Sequence, residues 1–453
     1  MIESTNPEAV LHEAGATVEA VQPAAPEGSD IALADTFSIR HADRLLYVPA
    51  AGYWLYWDGC RWVKENTLAV FDHVSAICRD TARLAEQNKR GDAIRLASAA
   101  TVAAVERLAR ADRRHARAAD AFDVDPWVLN TPGGVVDLRT GKLRPHRPGE
   151  MVTKVTTVTP GGECPNWLAF IQQLVQGDAE MTAYVQRWFG YFLTGETREQ
   201  KFLMVIGPGG NGKTLLFDVM MHVMGDYAVT APMETFMATP YPRHETELAG
   251  LHGARLVVAQ ETEAGRMLAE AKIKTLTGGD IISARFMRSN YFKYRPAFKL
   301  VMVGNHRPVI RNPDDALRRR LHLLPLTFKP ENPDLALSET LKAEAPGILQ
   351  WALDGCLMWQ AQGLEMPKVV KDATADYFAD QDPLAQWLAE RCERDVRAQA
   401  ASSDLFGDWA TWSETRGEDP GSGKRFSAAL EQQQFKKTRS SKGVIFHGLR
   451  LRP

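Results

Sequence analysis

The sequence predicts an α/β fold: a core of apolar strands and helices built around a glycine-rich loop, with an α+β domain before it and a winged-helix-like module after it. Three observations predict this. An apolar run at 202–206 enters a glycine-rich turn, and Leu216, Val219, Met220 and Val223 then recur at helical spacing. Further apolar runs at 254–259, 298–304 and 321–328 each border polar or charged residues. Short β-like runs alternate with Ala- and Leu-rich segments upstream, and a basic helix with two short strands closes the chain.

At 453 residues and 45% hydrophobic content the chain is a multidomain globular protein with ample core. A net charge of -2 means that any nucleic-acid contact rests on local basic patches. Five scattered cysteines without a C-x-x-C pair fit reduced thiols, and no apolar run or basic-then-apolar leader points to a membrane. A soluble cytoplasmic protein is expected.

Residues 1–35 hold seven acidic residues and no Lys or Arg, and read as a disordered acidic tail. The expected N-terminal α+β domain covers 36–163. Runs at 45–48 and 53–57, the Asp58-Gly59 turn and 61–63 form a small β element rich in aromatics. Residues 66–121 lack proline and predict two or three helices. One of them carries Arg107, Arg110, Arg113, Arg114 and Arg117 along one face, either solvated or a contact for nucleic acid or another subunit. A second β element spans 126–143, with turns at Pro132-Gly133 and Thr140-Gly141. Residues 164–200 are helical and either pack on the core or form a collar around it.

The core is expected over 201–330. Gly207, four residues, then Gly212-Lys213-Thr214 is the G-x-x-x-x-G-K-[ST] spacing, with Gly209, Gly210 and Asn211 between. Glycines let backbone N–H groups turn around a polyphosphate, Lys213 meets its outer phosphates and the Thr214 hydroxyl binds Mg²⁺. The 254–259 strand ends in Gln260-Glu261-Thr262-Glu263, and a carboxylate there holds the metal or polarises an attacking water, Glu261 first and Glu263 second. A Lys-bearing helix follows and is capped by Gly278-Gly279. Next comes a hairpin in which Arg285, Arg288, Lys293 and Arg295 interleave with Phe286, Tyr291, Phe292 and Tyr294. That mixture suits single-stranded nucleic acid, with aromatic packing alone as the alternative. The 298–304 strand ends in Asn305, an amide able to orient water. Arg318, Arg319 and Arg320 precede the last apolar run, and as arginine fingers they would need a neighbour's phosphates within reach.

In this order the motifs resemble a superfamily 3 helicase. More narrowly, the chain is similar to the helicase module at the C-terminus of phage and plasmid primases, related to the poxvirus primase-helicase. The likeness runs over roughly 36–400 and includes the segments 54–62, 130–138, 247–256 and 346–351. It implies an AAA+ type ATPase core, a homo-oligomeric, hexameric ring with ATP at subunit interfaces, and 3′-to-5′ movement on single-stranded DNA. Position by position, Lys213 and Thr214 match the Walker A pair, Glu261 and Glu263 the Walker B acids, Asn305 the sensor, and Arg319 or Arg320 the finger. Arg318 stands where an aromatic is often found. Primases of the family carry a polymerising domain that the first 35 residues cannot hold, so helicase activity without primer synthesis is expected of this chain, with a separate primase or replication initiator as a candidate partner.

A helical extension is expected over 331–383 and a winged-helix-like basic module over 384–453. The module begins with a helix pair at 384–415, whose Leu384, Trp387, Leu388, Leu405, Trp409 and Trp412 read as core. From Gly421 on, eight basic residues, Lys424 and Arg425 among them, oppose only Glu431, which suits DNA phosphates. The sequence therefore favours an ATP- and Mg²⁺-dependent helicase on single-stranded and forked DNA. A DNA-binding ATPase that recognises or loads an origin without unwinding is the alternative.

Overall fold

The computed structural model describes residues 25–86, 90–239, 246–260, 265–286, 291–311, 313–416, 419–440 and 443–452. Contacts divide the chain into two units, one running to Val124 and taking in Pro148–Thr153, the other formed by Asp125–Arg147 and the chain from Lys154 onward.

In the first unit, helix α1 (Asp30–His41) starts where the Ser29 hydroxyl accepts the Ala32 N–H, which satisfies one orphan donor of the first turn. Its Leu33 and Phe37 are buried, so the expected acidic tail gives way to ordered helix at Asp30, not after residue 35. Strands β1 (Leu45–Val48), β2 (Tyr53–Trp57) and β3 (Trp62–Lys64) form the expected antiparallel meander. Helices α2 (Ala69–Glu86), α3 (Arg90–Leu96) and α4 (Ala99–Ala111) pack over it, and the Trp54 indole donates to buried Glu106 at 2.7 Å. The arginine stripe does not form. Helix α4 stops because Asp112 takes extended backbone angles, so Arg113, Arg114 and Arg117 lie beyond it, and Arg114 turns to Asp112 and Asp35.

The second unit opens with the small sheet β4 (Val128–Thr131), β5 (Gly134–Asp137) and β6 (Lys142–Arg144). Its Leu129, Val136 and Leu138 belong to the large core of this unit, so the expected boundary at residue 163 moves to about 125. Helices α5 (Pro165–Leu174) and α6 (Ala179–Leu193) share that core and pack against it directly. Then follow β7 (Phe202–Ile206), α7 (Lys213–Met224), β8 (Ala228–Pro232), α8 (Thr246–Ala249), β9 (Leu256–Gln260), α9 (Glu270–Gly278), the hairpin β10 (Ile282–Ala284) and β11 (Phe292–Tyr294), β12 (Lys299–Gly304), α10 (Asp315–Arg318) and β13 (Leu321–Pro325). Five strands form a parallel sheet in the order β13-β7-β12-β9-β8.

Near-continuous apolar strands follow from burial on both faces. Leu203, Val205, Val258, Val301 and Val303 meet α5, α6 and α7 on one side, while Phe202, Met204, Val257, Leu300 and Met302 meet α9 and later helices on the other. At the end where β9 and β12 begin, two buried basic side chains hold the C-terminus of α6. Arg255 donates to Leu193 O at 2.6 Å and Lys299 donates to Thr194 O, filling carbonyls that the helix leaves unpaired.

The helical extension is α11 (Leu337–Ala343), α12 (Ala345–Gln362) and α13 (Lys368–Asp380). The last part runs α14 (Pro383–Arg391), β14 (Cys392–Ala401), α15 (Ser402–Thr415), α16 (Gly423–Gln432), β15 (Lys436–Ser440) and β16 (Gly443–Leu451), with sheet order β14-β16-β15. Strand β14 splits the expected helix pair. Its polar, alternating 392–401 stretch gains its strand character from pairing with β16, which lies about 50 residues later in sequence. Trp387, Leu388, Leu405, Trp409 and Trp412 form the core here, as their spacing indicates, with Leu384 packed against it and Phe426 joining from α16. No helix among the described residues is long and apolar enough to cross a membrane.

Candidate functional site

Strand β7 delivers its carboxyl end into 207–212, and α7 begins at Lys213. The loop needs glycine for two physical reasons. A Cβ on Gly207 would stand 1.8 Å from Leu326 O, so only glycine allows β13's exit to pass this closely. Gly212, the N-cap of α7, has φ 87°, in the left-handed region.

The loop is stitched to that exit from both sides. Leu326 N donates to Ile206 O at 2.8 Å, and Asn211 Nδ2 donates to Leu326 O at 2.5 Å. The Asn211 side chain is 3% exposed, so it positions the loop from within.

Lys213 is buried beneath the loop. Its Nζ donates to Gly207 O and Pro208 O at 2.8 Å, to Asn211 Oδ1 at 2.9 Å and to Asn305 Oδ1 at 3.1 Å. Burial lowers its pKa from the ordinary lysine value, because the cation loses water that these acceptors only partly replace. Asn305 follows β12, the strand between β7 and β9, and the register Gly304↔Ile206 sets it beside the loop. The cavity above measures about 1060 Å³. It is lined by the loop with exposed Thr214, by the polar Gln260, Asn305 and His306, and by the apolar Phe170, Leu174, Phe328 and Leu337. A crevice outside the carboxyl ends of parallel strands is where open α/β sheets bind ligands.

Glu261 and Glu263 follow Gln260, the last residue of β9, and lie outside the described residues, as does Arg288. The arginines stand elsewhere. Strand β13 is parallel to β7 with Leu321↔Phe202 at its start and Pro325↔Ile206 at the loop end, so Arg319 and Arg320 sit at the opposite end of the sheet, about 15 Å of strand away. Arg320 is 9% exposed and spends Nη1 on Ala316 O, whereas Arg319 is exposed. Arg318 leans on the Phe378 ring and faces Asp382 at 3.9 Å.

The hairpin carries a ladder of rings. Phe286 stacks on Phe292 with centroids 5.6 Å apart, Phe292 stacks on Tyr294, and the Arg285 guanidinium lies 5.0 Å over Tyr291. Phe286 and Tyr291 remain about half exposed, with Lys293 exposed on β11. Lys424 and Arg425 are exposed on the first turn of α16 in the C-terminal part. The structure thus brings Gly207 to Thr214 together with Asn305 and separates them from the arginine pair.

One cation of this region escapes sequence reading. Lys329 follows β13 in a charged, proline-flanked stretch of no recognisable pattern, yet its Cε lies 3.8 Å from where a Cβ would stand on Gly210. Only the contact between β13's exit and the loop reveals it.

A family model described as "D5 N terminal like" matches residues 33–176, and a family of unknown function, DUF5906, matches 205–320. A protein of Acanthamoeba polyphaga mimivirus that carries a helicase name is 24% identical over 321 residues, 64% of this chain and 33% of its own. A protein of African swine fever virus that carries a primase name is 22% identical over 325 residues, 64% of this chain and 34% of its own. The chain therefore spans about a third of the length of these relatives. The apo structure of the NrS-1 C-terminal region aligns with a TM-score of 0.55 at 11% identity, covering 94% of this chain and 100% of that one, a likeness of fold. By these matches, which flank and include the glycine-rich loop, the chain is similar to the D5-like primase-helicases of phages and large DNA viruses.

Proposed function

We propose that this chain is an ATP-driven DNA helicase of a phage, plasmid or integrated mobile element, working as a hexameric ring that moves 3′-to-5′ on single-stranded DNA. The observation that carries the reading is the pairing of the Lys213 ammonium with both loop carbonyls and the Asn305 amide beneath an open cavity. A triphosphate entering there offers oxygens to the same ammonium, and Asn305 is then released to orient water. The apolar wall of Phe170, Phe328 and Leu337 suits a nucleobase.

The residues fit a nucleotide: the loop tolerates no Cβ at Gly207, and exposed Thr214 stands at the start of α7. With Glu261, Thr214 would hold Mg²⁺, which offsets charge on the transferring phosphoryl group. Glu261 or Glu263 would polarise the water. Arg319, exposed at the far end of the sheet, has its target only in a neighbouring copy, which supports the ring. The aromatic ladder with Lys293 suits stacked bases and their phosphates. The order of α14 to β16 supports the winged-helix reading, with Lys424 and Arg425 on DNA phosphates.

The test is ATPase stimulation by single-stranded DNA together with strand displacement on a forked duplex, for wild type and Lys213→Ala. Both activities are expected in wild type and neither in the variant. Stimulated hydrolysis without displacement would replace the helicase by a loading or origin-recognition ATPase.

A further inference from the structure

A second lysine reaches the glycine-rich loop. Lys213 lies beneath the loop with its ammonium committed to four acceptors. Lys329 lies over the loop's apex at Gly210, is exposed, and has no hydrogen-bond or ion-pair partner among the described residues.

Its position is fixed by backbone. Leu326, three residues earlier, is locked to β7 through Ile206 O and to the loop through Asn211, and Gly207 lies against the same carbonyl. The neighbours of Lys329, Phe328 and Pro330, both line the cavity. The Lys329 stem leaves this short, anchored segment and brings its Cε to Gly210, itself a lining residue, so the ammonium stands at the rim beside the loop. Gly210 itself has φ 73°, which turns the loop's apex and keeps side-chain bulk out of that place.

We infer that Lys329 is a second polyphosphate-binding residue of the nucleotide site, supplied in cis by the exit of β13 and selecting di- and triphosphates over monophosphates. The inference rests on the nucleotide reading of the same cavity and adds a cation to it. The chemistry is complementary: Lys213 must exchange loop carbonyls for phosphate oxygens, whereas Lys329 gives up no protein partner when it meets an anion. A lysine engages such a group as a mobile point charge with three donors, so arginine is expected to replace it in part.

The test uses the full chain and competition of ATP, ADP and AMP against a fluorescent methylanthraniloyl-ATP probe, with wild type, Lys329→Ala, Lys329→Arg and Lys213→Ala. Lys329→Ala is expected to weaken ATP and ADP about tenfold, the size of one charge-assisted contact, and AMP by less than about twofold. Lys329→Arg should recover most of the loss, and the melting temperature without nucleotide should not move. Wild type that binds ATP while Lys329→Ala binds it equally well would overturn the inference and leave the site intact. Equal losses for AMP and ATP would also overturn it, since a merely distorted pocket behaves that way. Wild type that binds none of the three nucleotides would bring down the nucleotide reading and this inference together.

Discussion

Replacing Gly207 by alanine tests the close approach on which the loop is built. The added Cβ would stand 1.8 Å from Leu326 O, 2.6 Å from Asn211 Nδ2 and 2.9 Å from Leu326 C, so backbone has to move by more than an ångström. That carbonyl accepts from Asn211, and the same residue's N–H donates to Ile206, so the movement loosens two hydrogen bonds as well as packing. Overpacking costs about 1–3 kcal/mol and each of the two bonds about 1 kcal/mol net, which gives roughly 3–5 kcal/mol in all. Gly209 is the matched control: its Cβ would find nothing nearer than Asn305 Nδ2 at 3.9 Å, and Gly209→Ala is expected within about 0.5 kcal/mol of wild type. Scanning calorimetry of the nucleotide-free full chain provides the measurement, read at the transition of the unit that contains the loop. Gly207→Ala should lower it by roughly 4–10 °C and Gly209→Ala by little. Equal shifts for the two variants, or no shift for Gly207→Ala, would refute the steric argument.

Burial lowers the His322 pKa from 6.5 to about 3, with Lys201 adding to the effect, while its Nδ1 pairs with the Tyr184 hydroxyl at 2.7 Å. A folded pKa below the unfolded one means stability is full above pH 6.5 and falls as the pH drops toward 3, by about 2 kcal/mol at pH 5. Unfolding at pH 7 and pH 5 should show wild type losing that much more than His322→Asn; equal losses would contradict it. For the arginine pair, Arg319→Ala should stay within about 0.5 kcal/mol of wild-type stability, since the residue is exposed. Mixing it with Lys213→Ala, each inactive alone, should restore part of the ATPase; mixtures that stay inactive would remove the case for a shared site. Lys293→Ala should leave DNA-free hydrolysis unchanged, weaken binding to single-stranded DNA, and reduce the salt slope by about 0.7. An unchanged slope would take Lys293 off the DNA path.

The parallel strands and the loop were legible because their signals are local. Phe202–Ile206 is apolar throughout, and the Gly207 to Thr214 spacing carries its own backbone chemistry. The hairpin was legible for the same reason, through alternation around a polar tip. The N-terminal boundary was not. Helix α1 starts inside acidic sequence because Ser29 caps it and Phe37 is buried in the first unit's core, and neither fact shows in composition. The arginine run at 107–117 misled because Asp112 ends α4, a choice stabilised by Arg114 folding back on it.

The sequence by itself determined that this chain holds a glycine-rich strand-to-helix loop with the G-x-x-x-x-G-K-[ST] spacing, an ordered set of motifs around it and a basic C-terminal part, since each depends on residues near one another along the chain. Tertiary structure alone decided which groups meet. Register put Asn305 beside the loop and Arg319 and Arg320 at the far end of the sheet, because parallel strands carry residues from 202 and 321 to one end and 206 and 325 to the other. It also buried Arg320 and left Arg319 exposed, drew β14 out of polar sequence through β16, and set Lys329 against Gly210 across more than a hundred residues. Such contacts are fixed by hydrogen-bonded register and core packing, and no window of sequence contains them.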